Sequence, residues 1–241
     1  MRGVILGGGF GTRMRPVTEA INKHLLPVAG LPMIFHPINS LVEAGIKELL
    51  VVCGGNCSDG FLTLLKDGKH LGLERLYYTY QVGAGGIAEA LALAEDFITK
   101  DTEPFAVVLG DNIFSDSIKP QVKYYLDHHK GTAQIHLISV KNPQDFGCPK
   151  FEDTKLVDII EKPKDPPSNY AVTGLYFYPQ DVFQIIKTLK RSERGELEVT
   201  DINRAYLKQD RLHYRFLEGE WTDAGKWDSY LRANLVMSKD G

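Results

Sequence analysis

The chain has 241 residues, 43% of them hydrophobic and 24% charged, with 28 Lys plus Arg against 31 Asp plus Glu and a formal net charge of −3. These proportions supply a sizeable core and exclude disorder, collagen and coiled coil, and the length fits one large α/β domain or one domain with an appendage. The near-balanced charge leaves no basic stripe for a polyanion, so no nucleic acid partner is expected, while a local patch for a small phosphorylated ligand is allowed.

Short apolar runs rich in β-branched residues alternate with stretches of helical period, the pattern of strands joined by crossover helices into a mostly parallel sheet. The first strand is predicted at 3–6 and leads into a glycine loop. A helix follows at 33–44, where Pro37 removes a backbone donor, so a kink or a start is expected at that residue. Strand 48–52, helix 61–66, strand 75–81, helix 86–97, strand 105–109, helix 119–128 and strand 133–140 continue the alternation.

After residue 140 the rhythm changes. Turn signals multiply (Asn142-Pro143, Phe146-Gly147, Lys162-Pro163, Pro166-Pro167), and strands 156–160 and 171–178 come without long helices between them. This part reads as a second lobe covering the sheet edge. Helical period returns at 181–189, 201–209 and 226–237. No repeat, low-complexity tract or long linker separates independent domains.

The amino end has too few apolar residues before its glycines for a signal-peptide core, and no run approaches about 18 apolar residues. The expectation is a soluble, cytoplasmic protein without membrane contact. Three cysteines, Cys53, Cys57 and Cys148, imply no disulfide framework. Cys53 and Cys57 look like half of a zinc site, but no second Cys/His pair follows, so reduced thiols are expected. His128-His129 reads as a solvated helix end.

In an open parallel sheet ligands bind beyond the carboxyl ends of the strands. There the first strand meets Gly7-Gly8-Gly9-Phe10-Gly11-Thr12-Arg13, whose glycines let the backbone turn tightly and present successive N–H groups to an anion. Arg13 and Arg15 add forked donors suited to phosphate oxygens, and Lys23 adds a third cation. The loop is neither GxxxxGK[ST] nor GxGxxG, since Thr12 stands where the third glycine of the latter would be.

Residues 8–18, GGFGTRMRPVT, followed by Lys23-His24-Leu25-Leu26-Pro27, resemble the GGxGTRxxPxT…K…LP signature of the sugar-phosphate nucleotidylyltransferases. The resemblance continues in the family's order through Gln81 with Ala84-Gly85-Gly86-Ile87-Ala88, Leu109-Gly110-Asp111-Asn112-Ile113-Phe114, Glu161-Lys162-Pro163, residues 170–176, residues 194–203, and Trp221-Thr222-Asp223-Ala224-Gly225. Within the family the chain most resembles short members that act on dTTP and glucose 1-phosphate. His24 and Ala84-Gly85-Gly86 stand where long members have Gln and PDG.

The resemblance implies a Rossmann-like three-layer αβα sandwich, the nucleotide-diphospho-sugar transferase fold, with a mostly parallel mixed sheet and a small sugar-binding lobe. It implies a single domain over 1–241, with a nucleotide-binding part at 1–140, a sugar-binding part at 141–225 and a C-terminal helix at 226–241. The reaction implied is attack by a sugar 1-phosphate on the α-phosphorus of a nucleoside triphosphate, which demands charge neutralisation, in-line positioning and a metal but no protein nucleophile. Asp111 and Asp223 are the expected Mg²⁺ ligands, and Arg13 and Lys23 complete the catalytic set. Leu6, Gly8, Gly9, Gly11, Thr12, Arg13, Gln81, Gly86 and Asp111 are the expected nucleotide site. Asn112, Gly147, Glu161, Lys162, Val172, Tyr176 and Arg194 are the expected sugar-phosphate site. Family resemblance also implies a homo-oligomer.

Other readings stay open at this level. Gly83-Ala84-Gly85-Gly86-Ile87-Ala88 satisfies GxGxx[GA], with acidic residues at 101 and 103, as in a dinucleotide-dependent oxidoreductase. A catalytically silent sugar-nucleotide-binding regulator would share the fold. The sequence reveals no methyl-sensing pocket that separates thymine from uracil.

Overall fold

The structure, a computed structural model, describes residues 1–99 and 103–238. Asp101, the first acidic residue noted after the second glycine motif, lies outside them, as do the last three residues of the expected C-terminal part.

Strand β1 (Arg2–Gly7) runs into the glycine loop; helix α1 (Val17–Ala20) and the small strands β2 (Pro27–Val28) and β3 (Leu31–Pro32) precede α2 (Phe35–Glu43). Pro37 sits in the first turn of α2, where its missing N–H has no intrahelical partner to lose, so it neither kinks nor starts the helix. Next come β4 (Glu48–Gly54), α3 (Asp59–Leu65) and β5 (Arg75–Gln81). The helix expected at 86–97 is two helices, α4 (Ile87–Ala92) and α5 (Glu95–Ile98), because Leu93 and Ala94 donate to Ala90 and Leu91, three residues back, and tighten the chain into a turn.

The chain continues through β6 (Phe105–Leu109), β7 (Asn112–Phe114), α6 (Lys119–His128) and β8 (Ala133–Ser139) to the hairpin β9 (Gly147–Glu152) and β10 (Lys155–Glu161). It ends with β11 (Tyr170–Tyr178), α7 (Val182–Ile186), α8 (Val199–Lys208), β12 (Leu212–Phe216), β13 (Trp221–Asp223) and α9 (Trp227–Met237).

Among the described residues, seven strands form the central sheet in the order β12-β8-β11-β6-β1-β4-β5, and of these β11 alone runs antiparallel to its neighbours. Side chains alternate between two cores, as strand geometry requires. Val4 and Leu6 pack with α4, α7 and α8 on one face, and Ile5 packs with α2, α3 and α6 on the other. This is the expected three-layer sandwich with a mostly parallel mixed sheet. A smaller core of Val28, Met33, Ile113, Ala224 and Ala233 docks α9. The cysteines are free thiols, and burial pushes the Cys53 thiol up to about 12. No helix among the described residues is long and apolar enough to cross a membrane.

Candidate active site

The carboxyl ends of β1, β5 and β6 open into a cavity of about 460 Å³, within the usual range for a small-molecule site. It gathers residues from both halves of the chain: Leu6, Gly8, Gly9, Thr12, Arg13, Lys23, Gln81, Gly86, Asp111 and Asn112 from the first, Gly147, Glu161, Lys162, Val172, Tyr176, Arg194 and Asp223 from the second. Two expected positions do not line it. Gly11 makes the turn behind it, at φ +61°, with its carbonyl accepting from Thr18 Oγ1 at 2.8 Å. Arg15 is exposed and pairs with Glu19 at 3.7 Å.

Asp111 follows β6 through Gly110, whose N–H donates to the carbonyl of Leu6 at 2.9 Å and ties the two strand ends together. Asp223 reaches the same place by another route. Its strand β13 pairs antiparallel with β7, with Asp223 opposite Asn112, and Ala224 N–H donates to the Asp111 carbonyl at 2.9 Å. A β-carbon on Gly225 would lie 2.7 Å from Asp223 Oδ1, 2.9 Å from Arg13 Nη2 and 3.1 Å from Asp111 Oδ2. Both carboxylates and the guanidinium therefore converge on a point that only glycine leaves open.

The electrostatics of this cluster are uneven. Burial opposes ionisation of Asp111, but the charge of the ion-paired Lys23 ammonium and the hydrogen bonds from Lys23 and the Asn112 amide together outweigh burial and hold the carboxyl well below the usual range. Burial and then the charge of Asp111 push Asp223 up, offset in part by Lys23 and Arg13. Burial and Lys23 lower His24 to about 3, so its imidazole is neutral, with Nδ1 2.9 Å from Asn22 Oδ1. Two convergent carboxylate oxygens, with no cluster of three or more His, Cys, Asp or Glu ligands among the described residues, make a hard-oxygen donor set. It suits Mg²⁺, which takes one or two carboxylates plus water and phosphate oxygens, and does not suit structural zinc.

Across the cavity, Glu161 stands opposite Gly147 in the β9–β10 hairpin and accepts from Thr200 Oγ1 and from Arg194 Nη2. Arg194 also pairs with Glu198 at 2.8 Å and Glu196 at 3.4 Å. Lys162 adopts φ +44°, an unfavourable conformation for a non-glycine residue, and its N–H donates to the Phe146 carbonyl at 3.0 Å. Asn112 Oδ1 accepts from Gly174 N at 2.8 Å and from Trp221 Nε1 at 2.7 Å, so its amide is fixed.

Sequence reasoning missed Asp145, Phe146, Thr200 and Glu196, which also line the cavity. Asp145 is held below the usual carboxylate range by Lys226, whose Nζ lies 2.7 Å away. The Phe146-Gly147 turn signal pointed to this loop, although no local pattern pairs Asp145 with a residue so far along the chain.

The nucleotidyl transferase family model matches residues 2–240. The chain belongs to the nucleotidyl transferase family. Among curated nucleotidyl transferase relatives, the glucose-1-phosphate thymidylyltransferase of Mycolicibacterium smegmatis is 40% identical over 237 residues, 97% of this chain and 81% of the relative. That of Mycobacterium tuberculosis is 41% identical over the same shares. A crystal structure of a Bacillus anthracis protein, provisionally assigned as a glucose-1-phosphate thymidylyltransferase and complexed with a sucrose, superposes with a TM-score of 0.93 at 44% identity, covering 100% of this chain and 96% of the other. A UDP-glucose pyrophosphorylase complexed with UDP-glucose superposes with a TM-score of 0.86 at 25% identity, covering 100% and 99%.

Proposed function

We propose that this chain transfers a deoxythymidylyl group from dTTP to α-D-glucose 1-phosphate, giving dTDP-glucose and pyrophosphate. One observation carries the reading: Arg13, Lys23, Asp111 and Asp223 converge between a glycine loop and the β9–β10 hairpin that brings Gly147 and Glu161 to the same cavity. The names of the 40% identical relatives support the choice of substrates.

In this reading residues 1–140 bind the nucleotide, residues 141–225 bind the sugar phosphate, and residues 226–241 complete the single domain. The amides of Gly8, Gly9 and Thr12, together with Arg13, hold the triphosphate, as a run of backbone N–H groups favours an anion. Leu6 and Gly86 flank the nucleoside while Gln81 reads the base. Asp111 and Asp223 would hold Mg²⁺, which when bound supplies charge neutralisation at the phosphates. Lys162 and Arg194 hold the sugar phosphate, whose ionised oxygen is the nucleophile. Asn112, Gly147 and Glu161 contact the sugar, and Val172 and Tyr176 wall the pocket. Arg13 and Lys23 offset charge developing on the departing pyrophosphate.

The dinucleotide reading loses its footing, since Gly86 and the first glycine loop border one cavity instead of two sites. A cytoplasmic location and a homo-oligomer belong to the same proposal. The test is pyrophosphate release with Mg²⁺ across a matrix of nucleoside triphosphates and sugar 1-phosphates. The expected maximum is dTTP with glucose 1-phosphate. Release from no pair would leave a silent binding protein and refute the proposal, and a maximum with UTP would reassign the base.

A further inference from the structure

We propose that Glu89, held by Arg191, is a positioning residue that locks the Gln81 amide with its oxygen toward the base subsite and so favours a base carrying an imide N–H over cytosine. This rests on the reading of Gln81 as the base contact. Gln81 closes β5 and is 4% exposed. Its Nε2 donates to the Gly86 carbonyl at 3.2 Å and to Glu89 Oε1 at 3.5 Å. A carboxylate and a carbonyl only accept, so a flipped amide would set oxygen against oxygen at both contacts. The amide oxygen instead lies over Gly8, where a β-carbon would collide with it. Gly8 borders the cavity, so the group offered there is an acceptor.

The carboxylate that shares in imposing this orientation with the Gly86 carbonyl is itself held. Its Oε2 is ion-paired with Arg191 Nη2, and Arg191 Nη1 donates to the carbonyls of Gly195 at 2.8 Å and Gly85 at 3.4 Å. On the other side the carboxylate fills the space that a β-carbon on Gly85 would take, so the second glycine motif makes room for Glu89. With side chains 27% and 52% exposed, the pair adds little stability, and its consequence is orientation.

Thymine and uracil carry a hydrogen on N3 and can donate to a fixed acceptor. Cytosine presents a lone pair at N3, which faces the lone pairs of the amide oxygen. A site built around one hydrogen bond rejects a base that cannot make it by tenfold or more.

The test compares calorimetric binding of dTTP and dCTP to the wild type, Glu89→Gln and Arg191→Gln, with turnover followed in parallel. The Glu89→Gln side chain keeps its size but can donate as well as accept, which removes one of the two contacts that hold the amide and leaves the Gly86 carbonyl as the other. The preference for dTTP over dCTP is expected to shrink by about tenfold, mainly through tighter dCTP binding, with KM for dTTP rising more than kcat falls. Arg191→Gln is expected to move the ratio the same way by less, and it supplies the comparison should Glu89→Gln not fold. An unchanged ratio, or equal loss of both nucleotides, overturns the lock. A wild type that turns over dTTP but binds both nucleotides equally also overturns it. Absence of turnover with dTTP refutes the substrate reading instead, and the binding ratios still judge the lock.

Discussion

Lys23 and Asp111, on one side of the cavity, have side chains 11% and 9% exposed, whereas Arg194, on the other, is 40% exposed among Glu161, Glu196 and Glu198. Asp111 follows the end of a strand that the parallel sheet holds in register, and Lys23, on the helical turn Lys23–Leu25, is buried against it. The second group sits on a loop and a hairpin, where solvent screens each contact and several carboxylates compete for one guanidinium. Under the proposed function, the buried charge pair fixes where the reacting phosphates are neutralised, and the screened cluster suits an acceptor that must enter and leave. If this division holds, variants on the first side should lower kcat and variants on the second should raise KM for the sugar phosphate.

The largest expected effect breaks the buried side. Asp111→Asn or Asp223→Asn should lower turnover by about a thousandfold while dTTP binding falls far less, measured by pyrophosphate release and calorimetry. Equal losses in both would move these residues away from the reacting centre.

The shared sheet gives a control that touches neither side. Burial lowers His136 in β8 to about 4, with its Nδ1 3.0 Å from the Leu175 carbonyl. Unfolded, the imidazole takes its proton near 6.5. The folded state resists protonation, so the stability tied to the neutral ring is complete above pH 6.5 and is lost as pH falls toward 4. The loss should be about 3 kcal/mol. Urea midpoints at pH 7 and pH 4.5 should diverge in the wild type and diverge less in His136→Gln, where the buried His24 still resists protonation.

Gly225→Ala sharpens the geometric claim, since the added carbon meets Arg13, Asp111 and Asp223 together. It should lower kcat by tenfold to a hundredfold with little change in thermal stability. The smallest effect belongs to the screened side. Arg194→Ala should raise KM for glucose 1-phosphate by about tenfold while kcat stays within a few-fold. A collapse of kcat there would erase the difference between the sides.

Much of the sheet was legible because its strands are local. The ends of β5, β6 and α6 coincide with the expected 75–81, 105–109 and 119–128. Strands β7 and β13 were not legible: each is three residues long, and each exists because the other, far along the chain, completes its hydrogen bonds. The antiparallel course of β11 was equally hidden, since alternation of apolar residues carries no direction. In the cavity, Arg13, Lys23, Asp111 and Asp223 stood out by motif. Glu89 with Arg191 and Asp145 with Lys226 did not, because a charged residue on a helix or loop looks like solvated surface until its partner, 102 or 81 positions away, is brought to it.

The most direct measurement is ³¹P NMR of the wild type mixed with dTTP, glucose 1-phosphate and Mg²⁺. The account predicts that dTDP-glucose and pyrophosphate appear in equal amounts as both substrates disappear. Orthophosphate in place of pyrophosphate, or unchanged spectra, would contradict it.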